Sequence, residues 1–374
     1  MGIFIAYMSN SCHFPNRFKA ICKEFGVTTL KDLAAHLGLS PATVSRALNG
    51  FPEVGHKTRK RVLEAAERFS YKPNTSAKKL ATGKSDMVGI IFRSARNLLV
   101  DPHFVDFLAG LSTGLAHSEV DLVIRTAPQG EQLAHYQRFV ASGSVDGMIV
   151  SAPQIDDPRI EMLLETDFPF VVHGRTGDDV PYAFYDIDND AALEGATSLL
   201  ADLGHKRITL MNGPADMAFA QQREQAFRRV IKQRGITVPG RFVSQDDMSE
   251  DLGYQRAASL LGGELGTPPS AFICASTLQA LGVIRAATEV GLRVGDDISI
   301  IAHDDVLPHL RPENFSPSLT VTRAPIRDAG TALAEMMIAL IGGTDPKSLQ
   351  QIAPVDLIVR GSTGAAPNRG ETAW

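Results

Sequence analysis

Apolar positions along this chain follow two rhythms, and the change from one to the other near residue 86 divides it. Leu30, Leu33, Ala34 and Leu37 recur at i, i+3, i+4 and i+7, the spacing of one helix face, with Thr29 placed to cap the start and Gly38 to end it. Ser40 is placed to cap a second helix, Pro41-Ala-Thr-Val-Ser-Arg-Ala-Leu48, in which Pro41 takes the first position, where its missing N–H costs nothing. A third helix, about Lys57 to Phe69, is expected to turn Val62, Leu63, Ala66 and Phe69 inward. The pattern predicts an all-α helix-turn-helix head with a three-helix core.

After residue 86 short apolar runs alternate with helical patterns. Strands are predicted at 88–92, 120–124, 147–150, 170–172, 207–211, 271–274, 298–301 and 319–321. Helices are predicted between them at 104–117, 190–203, 220–234, 251–262, 278–290 and 327–341. Short buried strands that alternate with helices belong to parallel α/β sheets covered on both faces. About 290 residues in this rhythm exceed what one doubly wound sheet commonly needs, so the body is expected to be α/β with two such subdomains. They divide near Asp188, with a return crossing near residue 319.

The expected organisation is a helix-turn-helix domain at 29–73, a hinge at 74–85, a ligand and dimerisation domain at 86–362 and a tail at 363–374. Asn74 to Ala81 can form one short helix, below the length that is stable alone, so it should fold only when docked. Residues 1–28 carry neither periodicity nor a capping signal, and are read as an upstream extension, either a mis-assigned start or a disordered arm.

Charge changes the picture once it is resolved along the chain. The whole carries 37 Lys and Arg against 42 Asp and Glu, a net of −5 that taken alone argues against a polyanionic partner. Residues 29–84, however, hold 11 basic against 4 acidic side chains, a net of +7, and residues 85–374 hold 23 against 37, a net of −14. A basic head on an acidic body points to nucleic acid. Three scattered cysteines, Cys12, Cys22 and Cys274, support neither a disulfide framework nor a metal site, and a reducing cytoplasm is the expected setting. No basic-then-apolar leader and no apolar run of about 18 residues occurs, so no membrane association is expected.

A recognition helix must present small or polar side chains at its start, and Ser40, Ala42, Thr43, Ser45 and Arg46 meet that need. The head motifs, Thr29-Leu-Lys-Asp-Leu-Ala34, Val44-Ser-Arg-Ala-Leu-Asn49, Tyr71-Lys-Pro-Asn74 and Lys79-Leu-Ala-Thr-Gly-Lys84, closely resemble those of the lactose-repressor-like (LacI/GalR) family of bacterial transcription regulators. The resemblance continues through Leu203-Gly-His-Lys-Arg-Ile208, Met211-Asn-Gly-Pro214, Arg223 and Ala302-His-Asp-Asp305, and covers about residues 28–362. It implies a homodimer whose heads read a pseudo-palindromic double-stranded operator. Pro41, Ala42 and Arg46 then fall on base-reading positions, and Thr29, Ser40, Thr43, Ser45, Asn49, Tyr71 and Asn74 on backbone-contacting ones. Leu80 matches the hinge leucine that wedges into the minor groove, unstacking a base step so that the bent duplex meets more protein. Pro41 and Ala42 depart from the larger hydrogen-bonding side chains of many relatives, which leaves apolar contact, as with a thymine methyl, for those positions. No leucine heptad follows Gly361, so a dimer rather than a tetramer is expected.

The body resembles the periplasmic sugar-binding fold, which implies a small-molecule effector held between the subdomains at the carboxyl ends of strands. Asp304 and Arg223 match ligand-binding positions, and a carboxylate with a guanidinium suits a polyol, one accepting and the other donating several hydrogen bonds. Arg175, Asp186 and Ser276 are further candidates, with Phe104 or Tyr185 as the aromatic face, since Trp374 is the last residue. The segments His303-Asp-Asp305 and Leu310-Arg-Pro-Glu-Asn-Phe315 look similar to relatives that respond to α-glucosides. Two other readings stay open: a purine co-repressor that strengthens DNA binding, and a transport solute-binding protein, which would have no use for the basic head. No enzyme is expected. Gly110-Leu-Ser-Thr-Gly114 fits a nucleophile string but sits inside a helical pattern instead of a strand-to-helix turn. Gly83-Lys84-Ser85 lacks the earlier glycine of a P-loop, and neither cofactor nor metal is implied.

Overall fold

The computed structural model describes residues 29–69, 71, 84–94, 98, 101–128, 130–263 and 266–367. The extension at 1–28, the hinge helix with Asn74 and Leu80, and Trp374 lie outside the described residues. The chain divides into two compact units between Ser85 and Asp86.

In the head, α1 (Leu30–Leu37) begins at a reciprocal cap. The Thr29 hydroxyl oxygen accepts from the Asp32 backbone N–H while the Asp32 carboxylate accepts from the Thr29 N–H at 3.0 Å. Gly38 closes the helix at φ 64°, a left-handed conformation that a side chain would resist. The Ser40 Oγ accepts from the Thr43 N–H at 3.1 Å and starts α2 (Pro41–Leu48), with α3 (His56–Arg68) following. Leu33, Ala34, Val44, Ala47, Val62, Ala65 and Ala66 form the core. Leu63 does not join it. It is 49% exposed, because the buried stripe of α3 runs through Val62, Ala65, Ala66 and Phe69, and the next residue after Val62 is rotated about 100° away.

The body builds two sheets from one repeated scheme. β1 (Met87–Arg93), α4 (Pro102–Leu115), β2 (Asp121–Ala127), α5 (Gln132–Ser142), β3 (Gly147–Ser151), α6 (Pro158–Glu165), β4 (Phe170–His173) and β5 (Ala183–Ile187) make the first. The second comprises α7 (Asn189–Asp202), β6 (Ile208–Asn212), α8 (Ala218–Gln233), β7 (Val243–Gln245), α9 (Glu250–Leu261), β8 (Ala271–Cys274), α10 (Thr277–Glu289), β9 (Ser299–Asp304) and β10 (Thr320–Arg323). After these come α11 (Ile326–Ile341), β11 (Gln350–Ala353) and β12 (Asp356–Ile358). Strand orders are β11-β5-β4-β3-β1-β2 and β12-β10-β9-β8-β6-β7, so each sheet reverses direction once, beside β1 and beside β6. All pairings are parallel except β10 with β12.

Alternate residues of each central strand feed cores on opposite faces. Val88 and Ile90 pack with Phe107 and Leu333 on one side of β1, and Ile91 packs with Tyr136 and Leu163 on the other. The chain passes between the subdomains three times. It leaves the first after β5, returns in α11, whose Leu333, Ala334 and Met337 join the first core, and crosses again between β11 and β12. The predicted helices stand within about two residues of those observed. The pattern missed α5, α6 and the strands β5, β7, β11 and β12.

The pair α4 and α11 is packed unusually tightly. A Cβ at Gly110 would overlap the carbonyl oxygen of Arg327, so glycine is what lets the two backbones touch. The Gly110-to-Gly114 string is thus the contact face of a helix, well inside α4.

Candidate functional site

On the head, Val44 and Ala47 anchor α2 to the core and leave Pro41, Ala42, Arg46 and Asn49 exposed on its outer side. Thr43 and Ser45 are half-buried between the two faces. Thr29 and Ser40 are exposed helix caps, and their hydroxyls already serve the helix starts. Tyr71 packs against the head core, where burial pushes its phenol up. Eight of the nine described candidates from the head therefore lie on or beside the starts and outer face of α1 and α2, and Tyr71 lies against the core.

In the body, the carboxyl ends of β1, β3, β4 and β5 face those of β6, β8 and β9 across a cleft, at the switch points where α/β sheets bind ligands. Two cavities open into each other there, an inner one of about 330 Å³ and an outer one of about 960 Å³. Phe92, His103, Ser151, Phe219 and Met248 border both.

The inner cavity is built around two clusters. Arg223, on α8, is buried; its Nε donates to Asn189 Oδ1 at 2.8 Å and its guanidinium lies 5.1 Å over the Phe219 ring. Burial depresses this guanidinium without neutralising it. Asn189 opens α7 and in turn donates to Asp186 Oδ1 at 3.3 Å. Asp186 pairs with Arg175 at 2.9 Å, yet burial outweighs that cation and raises the carboxyl to about 6.

The second cluster spans the cleft. Asp101 caps α4 by accepting from the His103 N–H, and the same carboxylate sits 3.0 Å from the His103 Nδ1. The other ring nitrogen lies 3.1 Å from Asp305 Oδ2 in the opposite subdomain. Burial alone would depress His103, but Asp305 and Asp101 outweigh it and hold the imidazolium up at about 10. Burial alone would raise Asp305, but the charges of His103 and His303 outweigh it and hold the carboxylate down at about 2. Half-buried His173, stacked 4.9 Å from Phe107, and buried His303 are lowered to about 4 by desolvation. The cavity thus offers fixed donors and acceptors in near balance of charge, framed by Phe92, Phe104 and Phe107.

Of the seven candidates in the body, Phe104, Asp186 and Arg223 line this cavity. Arg175 stands behind Asp186 as its partner. Ser276 borders neither cavity: its hydroxyl caps α10 by accepting from the Gln279 N–H and donates to the Met248 carbonyl. Asp304 also borders neither. Its carboxylate is turned back to accept from the Val306 N–H at 2.8 Å in a tight turn where Val306 has φ 59°, and the neighbouring Asp305 faces the cavity instead. Tyr185 belongs to the core. Asp101, His103, Asn189, Phe219 and Asp305 were not singled out as candidates. The signals present were the Asp101-Pro-His103 cap and the doubled aspartate, which the sequence leaves unordered.

Comparison with known proteins accords with both halves of this geometry. Residues 29–74 match the lacI family of bacterial regulatory proteins, and residues 197–363 match the periplasmic binding protein-like domain. The chain is 43% identical over 341 residues to the HTH-type transcriptional regulator AglR of Rhizobium meliloti (strain 1021), covering 91% of this chain and 95% of that protein. The chain belongs to the lacI family. This lacI-family protein is a DNA-binding transcriptional regulator, with the helical head and the two parallel-sheet subdomains of that fold. Among solved structures it is similar to the lac repressor dimer bound to operator and the anti-inducer ONPF, with 25% identity, a TM-score of 0.75 and coverage of 91% and 100% of the two chains. It is also similar to the transcriptional regulator CelR–cellobiose complex, with 27% identity, a TM-score of 0.66 and coverage of 90% and 99%. No helix among the described residues is long and apolar enough to cross a membrane.

Proposed function

We propose that this lacI-family regulator is a cytoplasmic, homodimeric repressor that releases operator DNA when a carbohydrate occupies the inner cavity. The observation that carries the reading is the pairing of Arg223 and Asn189 with the cleft-spanning ion cluster of Asp101, His103 and Asp305. A sugar presents several hydroxyls around its ring, each both donor and acceptor, and this set meets both without leaving a net charge to be neutralised. Bases would be read by Pro41, Ala42 and Arg46, and phosphates held by Thr29, Ser40, Thr43, Ser45, Asn49, Tyr71 and Asn74, with Leu80 as the minor-groove wedge. The relatives are transcriptional regulators, and the reading gives the chain no catalytic step.

Because His103 and Asp305 belong to different subdomains, a ligand touching both favours one relative placement of the two, which is the differential affinity a population shift requires. The test is calorimetry with a saccharide panel and with hypoxanthine and guanine, followed by gel shift on DNA upstream of the protein's own gene. A saccharide that binds and weakens retardation is the expected result. A purine that binds and strengthens it would establish the co-repressor reading instead.

A further inference from the structure

Three crossings of the chain join the two subdomains covalently, and a further connection joins them through hydrogen bonds alone. The loops after β3 and β6 face each other across the cleft and pair as a short antiparallel bridge, with Gln154 opposite Met217. The Ile155 N–H donates to the Asp216 carbonyl at 3.2 Å, and the Ala218 N–H donates to the Pro153 carbonyl at 3.0 Å. The Gln154 side-chain amide adds a bond to the Asp216 carboxylate at 2.7 Å. Gln154 and Met217 border the outer cavity and not the inner one. We infer that this bridge is a latch that biases the subdomains toward the closed arrangement on its own, so that bonds within the chain, and not only contacts to a ligand, set how readily an effector is held in the inner cavity. Every bond in the bridge joins the chain to itself, so the inference goes beyond the carbohydrate reading and stands or falls independently of it.

The half of the latch in the first subdomain is fixed in advance. Asp157 and Arg159, 3% and 6% exposed, form a buried ion pair at the start of α6, with Arg159 Nε 2.9 Å from Asp157 Oδ1. The pair grips the bridging loop from behind: the Asp157 carboxylate accepts from the Gln154 N–H at 2.9 Å, and Arg159 Nη2 donates to the Ala152 carbonyl at 3.2 Å. Ala152 has φ 48°, a left-handed backbone that a residue with a side chain keeps only where its surroundings hold it. Asp157 and Arg159 are therefore positioning residues, which present the Pro153 carbonyl and the Ile155 N–H to the opposite subdomain. The other half offers a donor in need of a partner. Ala218 is the first residue of α8, its N–H has no acceptor within the helix, and Met217 before it supplies no side-chain cap. The Pro153 carbonyl fills that place. A second contact bordering the outer cavity, Arg93 with Asp247 at 3.0 Å, has side chains 38% and 60% exposed, so water and salt screen it and the bridge carries the bias. A ligand that fits only the closed arrangement binds with an affinity scaled by the closed fraction, and a latch that raises this fraction tightens binding without touching the ligand.

Hydrogen exchange resolved to single amides, on the full chain with no saccharide, purine or DNA added, reads the latch directly. The acceptors of the Ile155 and Ala218 amides both lie in the opposite subdomain, so these amides are protected only while the cleft is closed. Each should exchange roughly tenfold more slowly than in a free chain, which corresponds to an open fraction of about a tenth that an effector can still deplete. Asp216→Ala removes the side-chain bond, and Ala218→Pro removes one backbone donor at the first helical position, where proline is accommodated. In each variant, exchange at Ile155 should quicken at least about threefold. The amides of β3 and β6 should stay protected, which separates unlatching from unfolding. Free-chain exchange at either Ile155 or Ala218 in the wild type overturns the inference. So does protection at Ile155 that survives unchanged in both variants.

Discussion

His103 shows how single side chains acquire properties that composition conceals. Its charge is held by carboxylates on both sides, and with its pKa raised to about 10 the stabilisation is complete below the unfolded value of 6.5 and is lost only as pH rises through 10. Asp305, lowered to about 2, contributes above its unfolded value of 3.8 and loses that contribution as pH falls through 2. The pair is therefore charged throughout the neutral range. The His103 ring C–H resonances should stay flat between about pH 6 and pH 8, where an ordinary histidine titrates, and Asp305→Asn should restore a midpoint within or near that window. A wild-type midpoint near the ordinary value would show that the cleft-spanning pair does not form. On the head, exposed Arg46 is expected to read a base: Arg46→Ala should flatten the preference at one operator position by about 1 to 3 kcal/mol, measured with singly substituted duplexes. Of the residues the sequence marks as candidates, Arg223, Asp186 and Phe104 line the inner cavity, and Asp305 lines it where Asp304 does not. Which of two adjacent aspartates faces the cavity is set by the turn after β9, where Val306 takes a left-handed backbone, and nothing in the pattern of residue types specifies that turn.

Elements were legible where burial is two-sided. Val88 to Phe92 and Ala271 to Cys274 are apolar throughout because both sheet faces are covered, and α1 and α2 carry their own capping residues. The missed β11 and β12 are short edge strands, and Gln350, Gln351, Ile352, Asp356 and Leu357 are exposed, so burial imposes no rhythm on them. The closeness of α4 to α11 was equally invisible, since a glycine in a helical pattern announces a close approach without naming the partner. Gly110→Ala should destabilise the body by about 1 to 3 kcal/mol, read as a lower urea midpoint, because the new methyl has only the Arg327 backbone to occupy. Gly240→Ala, which adds its methyl to open space without a left-handed backbone, is the matched control and should leave the midpoint nearly unchanged. Equal effects of the two substitutions would contradict the close-packing account. Both α4 and α11 border the inner cavity, so the tight contact also fixes the placement of His103 and Phe104.

At the scale of the whole molecule, the overall charge of −5 conceals a head of +7 and a body of −14. Phosphate contacts through such a head release counterions, and affinity for operator DNA should fall roughly a thousandfold or more between about 50 and 200 mM salt if six or more phosphates are neutralised. Saccharide binding, which involves a ligand without charge, should hardly respond to the same change, and the two dependences can be taken from one anisotropy and one calorimetry series. The architecture was legible because its repeated strand–helix rhythm and its charge asymmetry are properties of long stretches, over which local ambiguity averages out. The central claim joins the two units: occupation of the inner cavity weakens DNA binding by the head. Its most direct measurement is fluorescence anisotropy of a labelled duplex from upstream of the protein's own gene, titrated with wild type and with Arg223→Ala, with and without the saccharide found by calorimetry. The account predicts at least about a tenfold loss of DNA affinity for wild type on adding saccharide, and undiminished, unresponsive binding for Arg223→Ala. A wild-type affinity that no saccharide alters, or an Arg223→Ala protein that responds as wild type does, would contradict it.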